Sequence, residues 1–188
     1  MYLTMFPVAV GGIFNMIFTK TKFYKQHKYP IDHNKTLKDN KRIFGDNKTY
    51  IGFISMIIFC IISQVFCGLI CNLFDINQHH DLFKVQHNTI LLNLWFGALT
   101  GFVYMLFELP NSFIKRRINI GPGKTNKGFI GFVFFLVDQI DSLIGVMFLL
   151  ILFADISFLK YVGYVAIGAI THVTINLVLF LLKVRKNI

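Results

Sequence analysis

Residues 108–145 read ELPNSFIKRRINIGPGKTNKGFIGFVFFLVDQIDSLIG. Glu108, the pair Asn111-Ser112 and the cluster Lys115-Arg116-Arg117 precede a turn at Gly121-Pro122-Gly123. From Phe129 onward the side chains are almost all apolar, yet Asp138 and Asp141 stand in the middle of the run. A charged side chain at the centre of a bilayer-spanning helix costs at least about 2.5–3.5 kcal/mol on insertion scales, so such residues need compensation and mark function by default.

The rest of the 188-residue chain supports a membrane setting. Hydrophobic residues make up 55% of it, aromatics 16%, and the mean hydropathy is +0.60, above the roughly 45–50% apolar content of soluble domains. A spanning helix needs about 20 apolar residues, which predicts an all-α polytopic fold with five transmembrane helices. The expected spans are residues 2–18, 50–74, 89–107, 129–153 and 158–182. The third is expected to stop before Pro110, because proline disfavours helix in the residue preceding it. Cytoplasmic loops over 19–49 and 108–128 complete a single domain, 1–188, with no room for a separate soluble one. The first span lacks a basic leader and a small-residue cleavage site and is read as a retained helix; no internal repeat of the transporter kind is visible.

The net charge of +10, from 19 Lys and Arg against 9 Asp and Glu, would raise the question of nucleic acid in a soluble protein. Here it reads as topology, and no nucleic-acid partner is expected. Nine basic residues fall in the first loop, five in the loop after the third span and three in the tail, leaving Lys84 and Lys160 elsewhere. Basic loops stay in the cytoplasm, which predicts an outside N-terminus, a cytoplasmic C-terminus and a multi-pass protein of the cell membrane. The sequons at Asn34 and Asn47 then face the cytosol and are not glycosylation signals. Cys60, Cys67 and Cys71 share one helix face and are read as packing residues. His79, His80 and His87 lack the usual zinc-ligand spacing, so they and Asp81 are read as a polar surface loop.

Asp138 and Asp141 lie three residues apart, about 60° around a helix, with Ser142 between them in angle. One face therefore carries both acids, and Gly131 and Gly145 share it. Phe132, Val133, Leu136, Ile140, Leu143 and Ile144 are expected on the other side. Two adjacent carboxylates repel each other as well. An internal ion pair would compensate, but no other predicted span has a central basic residue. A divalent cation with hard oxygen ligands, Mg²⁺ completed by a polyphosphate, suits the pair better. Lys115, Arg116, Arg117 and Lys124 supply phosphate-suited cations on the cytoplasmic side. Gly123-Lys124-Thr125 is not a P-loop, since Ile118 stands where its first glycine is needed. His172 is the one predicted intramembrane histidine; a phosphate nucleophile, with a second pKa near about 6, needs no base.

Four motifs resemble the CDP-archaeol synthases: Gly45-Asp46-Asn47-Lys48-Thr49-Tyr50-Ile51-Gly52, the run from Glu108 to Arg117, Pro122-Gly123-Lys124, and Asp138-Gln139-Ile140-Asp141-Ser142. The wider CDP-diacylglycerol synthases share Ser-x-x-Lys-Arg, matched by Ser112, Lys115 and Arg116, and a later acid pair, matched by Asp138 and Asp141. The chain departs from that wider pattern at Gly121-Pro122, at Gln139 in place of an arginine, and in lacking a His-Gly-Gly before the acids.

The resemblance implies a Mg²⁺-dependent cytidylyltransferase that joins CTP to a lipid phosphate and releases pyrophosphate. Asp138 and Asp141 would hold the metal. Lys48, Lys115, Arg116 and Lys124 would hold phosphates, with Arg117 and Glu108 beside them. Asp46, Asn47, Asn111 and Ser112 would orient the nucleotide or metal, with Ser142 on the acidic face. The lipid, an archaeal-type ether lipid, phosphatidate or another, would enter from the inner leaflet. The rival readings are a small ion or solute transporter using the Asp pair, and a lipid-binding scaffold. Asp138 lies about 14 Å at helical rise beyond Phe129, so the enzyme reading requires a polar cavity reaching it from the cytosol.

Overall fold

The computed structural model of the chain describes residues 1–123 and 128–181. Helices α1 (Tyr2–Phe18), α3 (Tyr50–Leu73), α5 (Ile90–Arg117), α6 (Gly128–Ala154) and α7 (Phe158–Leu181) form the bundle, and α2 (Lys22–His27) and α4 (Asp81–Val85) are short connectors. Threonine begins three of them: Thr21, Thr49 and Thr89 each accept a backbone N–H three residues on, at 3.2, 3.1 and 3.2 Å. Such caps satisfy donors that the first helical turn leaves open.

Four helices, α3, α5, α6 and α7, are long and apolar enough to cross a membrane. The fifth, α1, has 17 residues, about 26 Å at helical rise against a hydrocarbon core of about 30 Å. In the bundle α1 and α5 flank α3, and α6 lies between α5 and α7. The α3–α5 contact is close because Gly97 and Gly101 present bare backbone to it. A Cβ would come within 2.8 Å of Ile61 Cα at Gly97 and within 2.6 Å of Ile57 Cα at Gly101. Small residues four apart allow this approach between helices that gain nothing from burying oil in oil. Cys60, Cys67 and Cys71 are buried in the core and unbridged. Leu143, expected on the outer face of α6, is buried as well.

The third helix does not stop at Phe107. It passes through Pro110 and ends at Arg117, so Glu108–Arg117 are helical and the following connection is correspondingly short. Proline withholds one backbone donor, but the last two turns are held by side-chain bonds to α6 and to the preceding segment. The end is a Schellman turn: Asn119 takes φ 65°, and Ile120 and Asn119 donate N–H to Lys115 O (2.8 Å) and Arg116 O (3.2 Å).

Residues 19–49, expected as a solvated loop, are ordered around Asp32. Its carboxylate accepts Arg42 Nη2 at 2.6 Å and the N–H groups of Asn34, Phe44 and Gly45 at 3.1, 3.1 and 2.9 Å. Burial alone would raise the Asp32 carboxyl, but Arg42 and these N–H groups outweigh it and hold it below the usual carboxylate range. Lys41 Nζ donates to Arg117 O at 2.6 Å, which joins this segment to the end of α5.

The opposite end of the bundle also departs from expectation, because His80 and Asp81 are not on a surface loop. Asp81 is buried and accepts from Lys160 (2.6 Å), Lys84 (2.9 Å) and the Tyr164 hydroxyl, while its N–H donates to Thr4 Oγ1 at 3.0 Å. His80 is buried against the Phe83 ring. The connector is an inward plug because α1 and α7 supply the polar partners of Asp81, Thr4 from the first and Lys160 and Tyr164 from the second.

Candidate functional site

The extended end of α5 brings polar side chains to α6. Asn111 and Lys115 are four residues apart and so share a face. Asn111 Nδ2 donates to Asp138 Oδ1 at 2.6 Å and to Asp141 Oδ2 at 2.7 Å, which clamps the two acids together. Lys115 Nζ lies 2.5 Å from both Asp138 oxygens. The internal ion pair set aside from the sequence therefore exists; its lysine was hidden because the third span was expected to end before it. The Asp141 Oδ1 atom accepts the Ser142 N–H at 2.6 Å.

These groups floor a polar cavity of about 260 Å³. Its wall carries Lys48, Glu108, Lys115, Arg116, Asp138 and Asp141, together with Gln139, His172 and Asn176. Lys48, at the end of the first loop, pairs with Glu108 on α5. The Arg116 guanidinium donates to Ile120 O. Gly45, next to Phe44 of the lining, packs on Pro122: it holds φ 96°, and a Cβ there would meet Pro122 Cγ at 2.8 Å, so this turn admits no other residue without strain. Helix α6 begins at Gly128, which puts Asp138 about 15 Å along it, and the cavity reaches that depth.

Of the residues singled out in the sequence, Asn47, Lys48, Glu108, Asn111, Ser112, Lys115, Arg116, Asp138 and Asp141 line this cavity. Asp46 is turned outward onto Arg42 at 2.8 Å. Arg117 grips Asp39 at 2.7 Å and the carbonyls of Lys41 and Arg42, fastening the first loop instead of facing the cavity. Ser142 is fully buried behind Asp141. Lys124 lies outside the described residues. Sequence reasoning passed over Gln139, His172 and Asn176 as site residues. The signal was there, since His172 and Asn176 are polar, four apart and inside an apolar span.

An apolar groove of about 560 Å³ opens beside the cavity. Phe44 belongs to both; the groove's other walls are Ile43, Leu106, Phe107, Leu109, Pro110, Phe113 and Ile114.

Four membrane-length helices, a carboxylate-floored cavity among them and an apolar groove alongside define a multi-helix membrane protein with a polar cavity. The sequence pattern of the CarS-like CDP-archaeol synthases matches residues 2–188, and the chain belongs to that family. Among curated relatives, it is 39% identical over 94 residues to CDP-archaeol synthase of Pyrococcus furiosus, covering 50% of this chain and 48% of that one. It is 29% identical over 122 residues to that of Thermofilum pendens, covering 65% and 50%. With the Methanosarcina barkeri protein the identity is 29% over 132 residues, covering 63% of each. The chain thus spans about half to under two thirds of the length of the curated relatives it matches. A solved structure described as an intramembrane enzyme for archaeal membrane lipids biosynthesis shares the fold, with a TM-score of 0.64 at 19% identity over 94% of this chain and 92% of that one.

Proposed function

We propose that this chain catalyses Mg²⁺-dependent transfer of CMP from CTP to a lipid phosphate, giving a CDP-lipid and pyrophosphate. The names of its relatives favour an ether-lipid phosphate of the archaeol type. The observation that carries the reading is the acid pair, held by one Asn111 amide on the floor of a cavity whose wall also bears Lys48, Lys115 and Arg116.

The residues present fit a magnesium ion. Mg²⁺ commonly takes one or two protein carboxylates and fills its shell with phosphate and water. Asp138 and Asp141 offer two, held side by side by the Asn111 amide. When bound, the ion would neutralise phosphate charge and polarise the α-phosphoryl group. Lys48, Lys115 and Arg116 bind the triphosphate, joined by Lys124; Glu108 holds Lys48 in place, and Asn47 and Ser112 orient the nucleotide. The lipid lies with its chains in the groove walled by Leu106, Leu109 and Phe113 and its phosphate turned past Phe44 into the cavity. A lipid-phosphate oxygen attacks the α-phosphorus in line, the bond to the bridging oxygen breaks, and the cationic wall holds the departing pyrophosphate. Proximity and charge suffice, because a phosphate nucleophile needs no general base.

In the same reading α1 is the fifth crossing, short enough to tilt little or thin the bilayer locally. The N-terminus lies outside, and the basic loops and the cavity mouth face the cytosol. Ion or solute transport is the less favoured reading, since it gives no use to the phosphate-suited cations around the acids. The test is CDP-lipid formation by purified protein from labelled CTP, Mg²⁺ and a panel of ether- and ester-linked lipid phosphates. Product with the ether lipid, lost on chelation by EDTA and restored by Mg²⁺, is expected; no product with any lipid overturns the proposal.

A further inference from the structure

The two amides in the cavity wall, Gln139 and Asn176, have a fixed hydrogen-bonding polarity. Gln139 Nε2 donates to the Phe135 carbonyl at 3.2 Å, and that carbonyl can only accept, so the Gln139 amide cannot be turned round without losing the bond. Its Oε1 atom then faces α7 and accepts Asn176 Nδ2 at 3.0 Å. This orients the Asn176 amide in turn. Asn176 is 3% exposed, lines the cavity, and its Oδ1 atom has no partner among the described residues. A buried carbonyl oxygen left unmatched costs on the order of 1–3 kcal/mol, so this position is built for a ligand that brings a donor. The charged residues of the same cavity supply the complementary half of a nucleotide site, with phosphates beside Lys48, Lys115 and Arg116 and the uncharged end of the molecule against α7.

We infer that Asn176 Oδ1, held by Gln139, accepts the exocyclic amino group of cytosine and so selects CTP over UTP. The inference rests on the cytidylyltransferase reading above and deepens it by assigning base specificity. Cytosine carries an N–H₂ donor at the position where uracil carries a carbonyl oxygen; two acceptors would face each other there, and a site built on a hydrogen bond rejects a substrate that cannot make it far more strongly than an apolar pocket does.

The experiment measures kcat/KM of wild-type protein and of Asn176→Leu for CTP and UTP with one lipid phosphate, together with wild-type kcat/KM for N4,N4-dimethyl-CTP, whose amino group has no hydrogen to donate. Wild-type protein is expected to prefer CTP by at least about 100-fold. Asn176→Leu should lose at least about tenfold with CTP and change less than about threefold with UTP, and the dimethylated nucleotide should be at least about tenfold worse than CTP for the wild type. The analogue arm needs no variant, so turnover that ignores the methyl groups overturns the inference even where Asn176→Leu does not fold. Wild-type turnover that ignores the base or the methyl groups overturns the inference, as does a variant that loses CTP and UTP equally, which would place Asn176 on the ribose or in the fold. Wild-type protein that turns over neither nucleotide overturns the transferase reading itself.

Discussion

Arg116 and Arg117 show how little neighbouring residues in a sequence share once a helix fixes their directions. They project about 100° apart. Arg116 is buried at the cavity wall, whereas Arg117 turns to Asp39 and the backbone of the first loop. Arg116→Ala is therefore expected to lower kcat/KM for CTP or the lipid phosphate at least about tenfold, as for a lost charge-assisted phosphate contact. Arg117→Ala is expected to lower the Tm in detergent while leaving both KM values unchanged. Kinetics and thermal melting on the two variants check this, and exchanged outcomes would refute it. The sequence marked both as cationic and phosphate-suited but could not separate them, because they were expected in a loop where no angular register exists.

At the level of elements, the expected sequence of apolar spans agrees closely with the long helices: α3 and α6 begin and end, and α7 begins, within a residue of expectation. Apolar run length is what places a helix in a membrane, and it is plain in the sequence. The exception is α5, where the local preference against helix before Pro110 lost to tertiary bonds that only the folded chain provides. That one boundary decided the chemistry, since it carries Asn111 and Lys115 across to Asp138. The α3–α5 contact is a second feature that lies in the sequence, as Gly97 and Gly101, yet identifies its partner only in three dimensions. Gly101→Leu should force the helices apart against the Ile57 backbone. Overpacking of this kind typically costs about 1–3 kcal/mol, read as a fall in Tm; an unchanged Tm would contradict the close packing.

Across the whole molecule the two ends differ in kind. One gathers the basic loops around the cavity mouth; the other is closed by His80 and Asp81. Burial pushes the His80 imidazole down to about 4, against the partial pull of Asp81. The folded state thus keeps His80 neutral where the unfolded chain, titrating near 6.5, takes up a proton. Its contribution is complete above about 6.5 and is lost as pH falls towards about 4, worth up to about 3 kcal/mol. Asp32 and Asp81, both depressed in the fold, act in the same direction at lower pH, where the unfolded carboxyls near 3.9 begin to bind protons. Melting in detergent from pH 7 to 4 should show falling stability, and His80→Phe should remove the part between 6.5 and 4; an identical pH profile would contradict the buried neutral imidazole.

The cavity joins these scales, because its floor, its cationic wall and its apolar flank come from different elements and meet only at Asp138 and Asp141. The most direct measurement is kcat for CDP-lipid formation by Asp138→Asn and Asp141→Asn, each checked for a wild-type melting profile. A loss of at least about 100-fold is expected in each, the scale seen when a centre of charge stabilisation is removed. Near-wild-type turnover by both folded variants would contradict it.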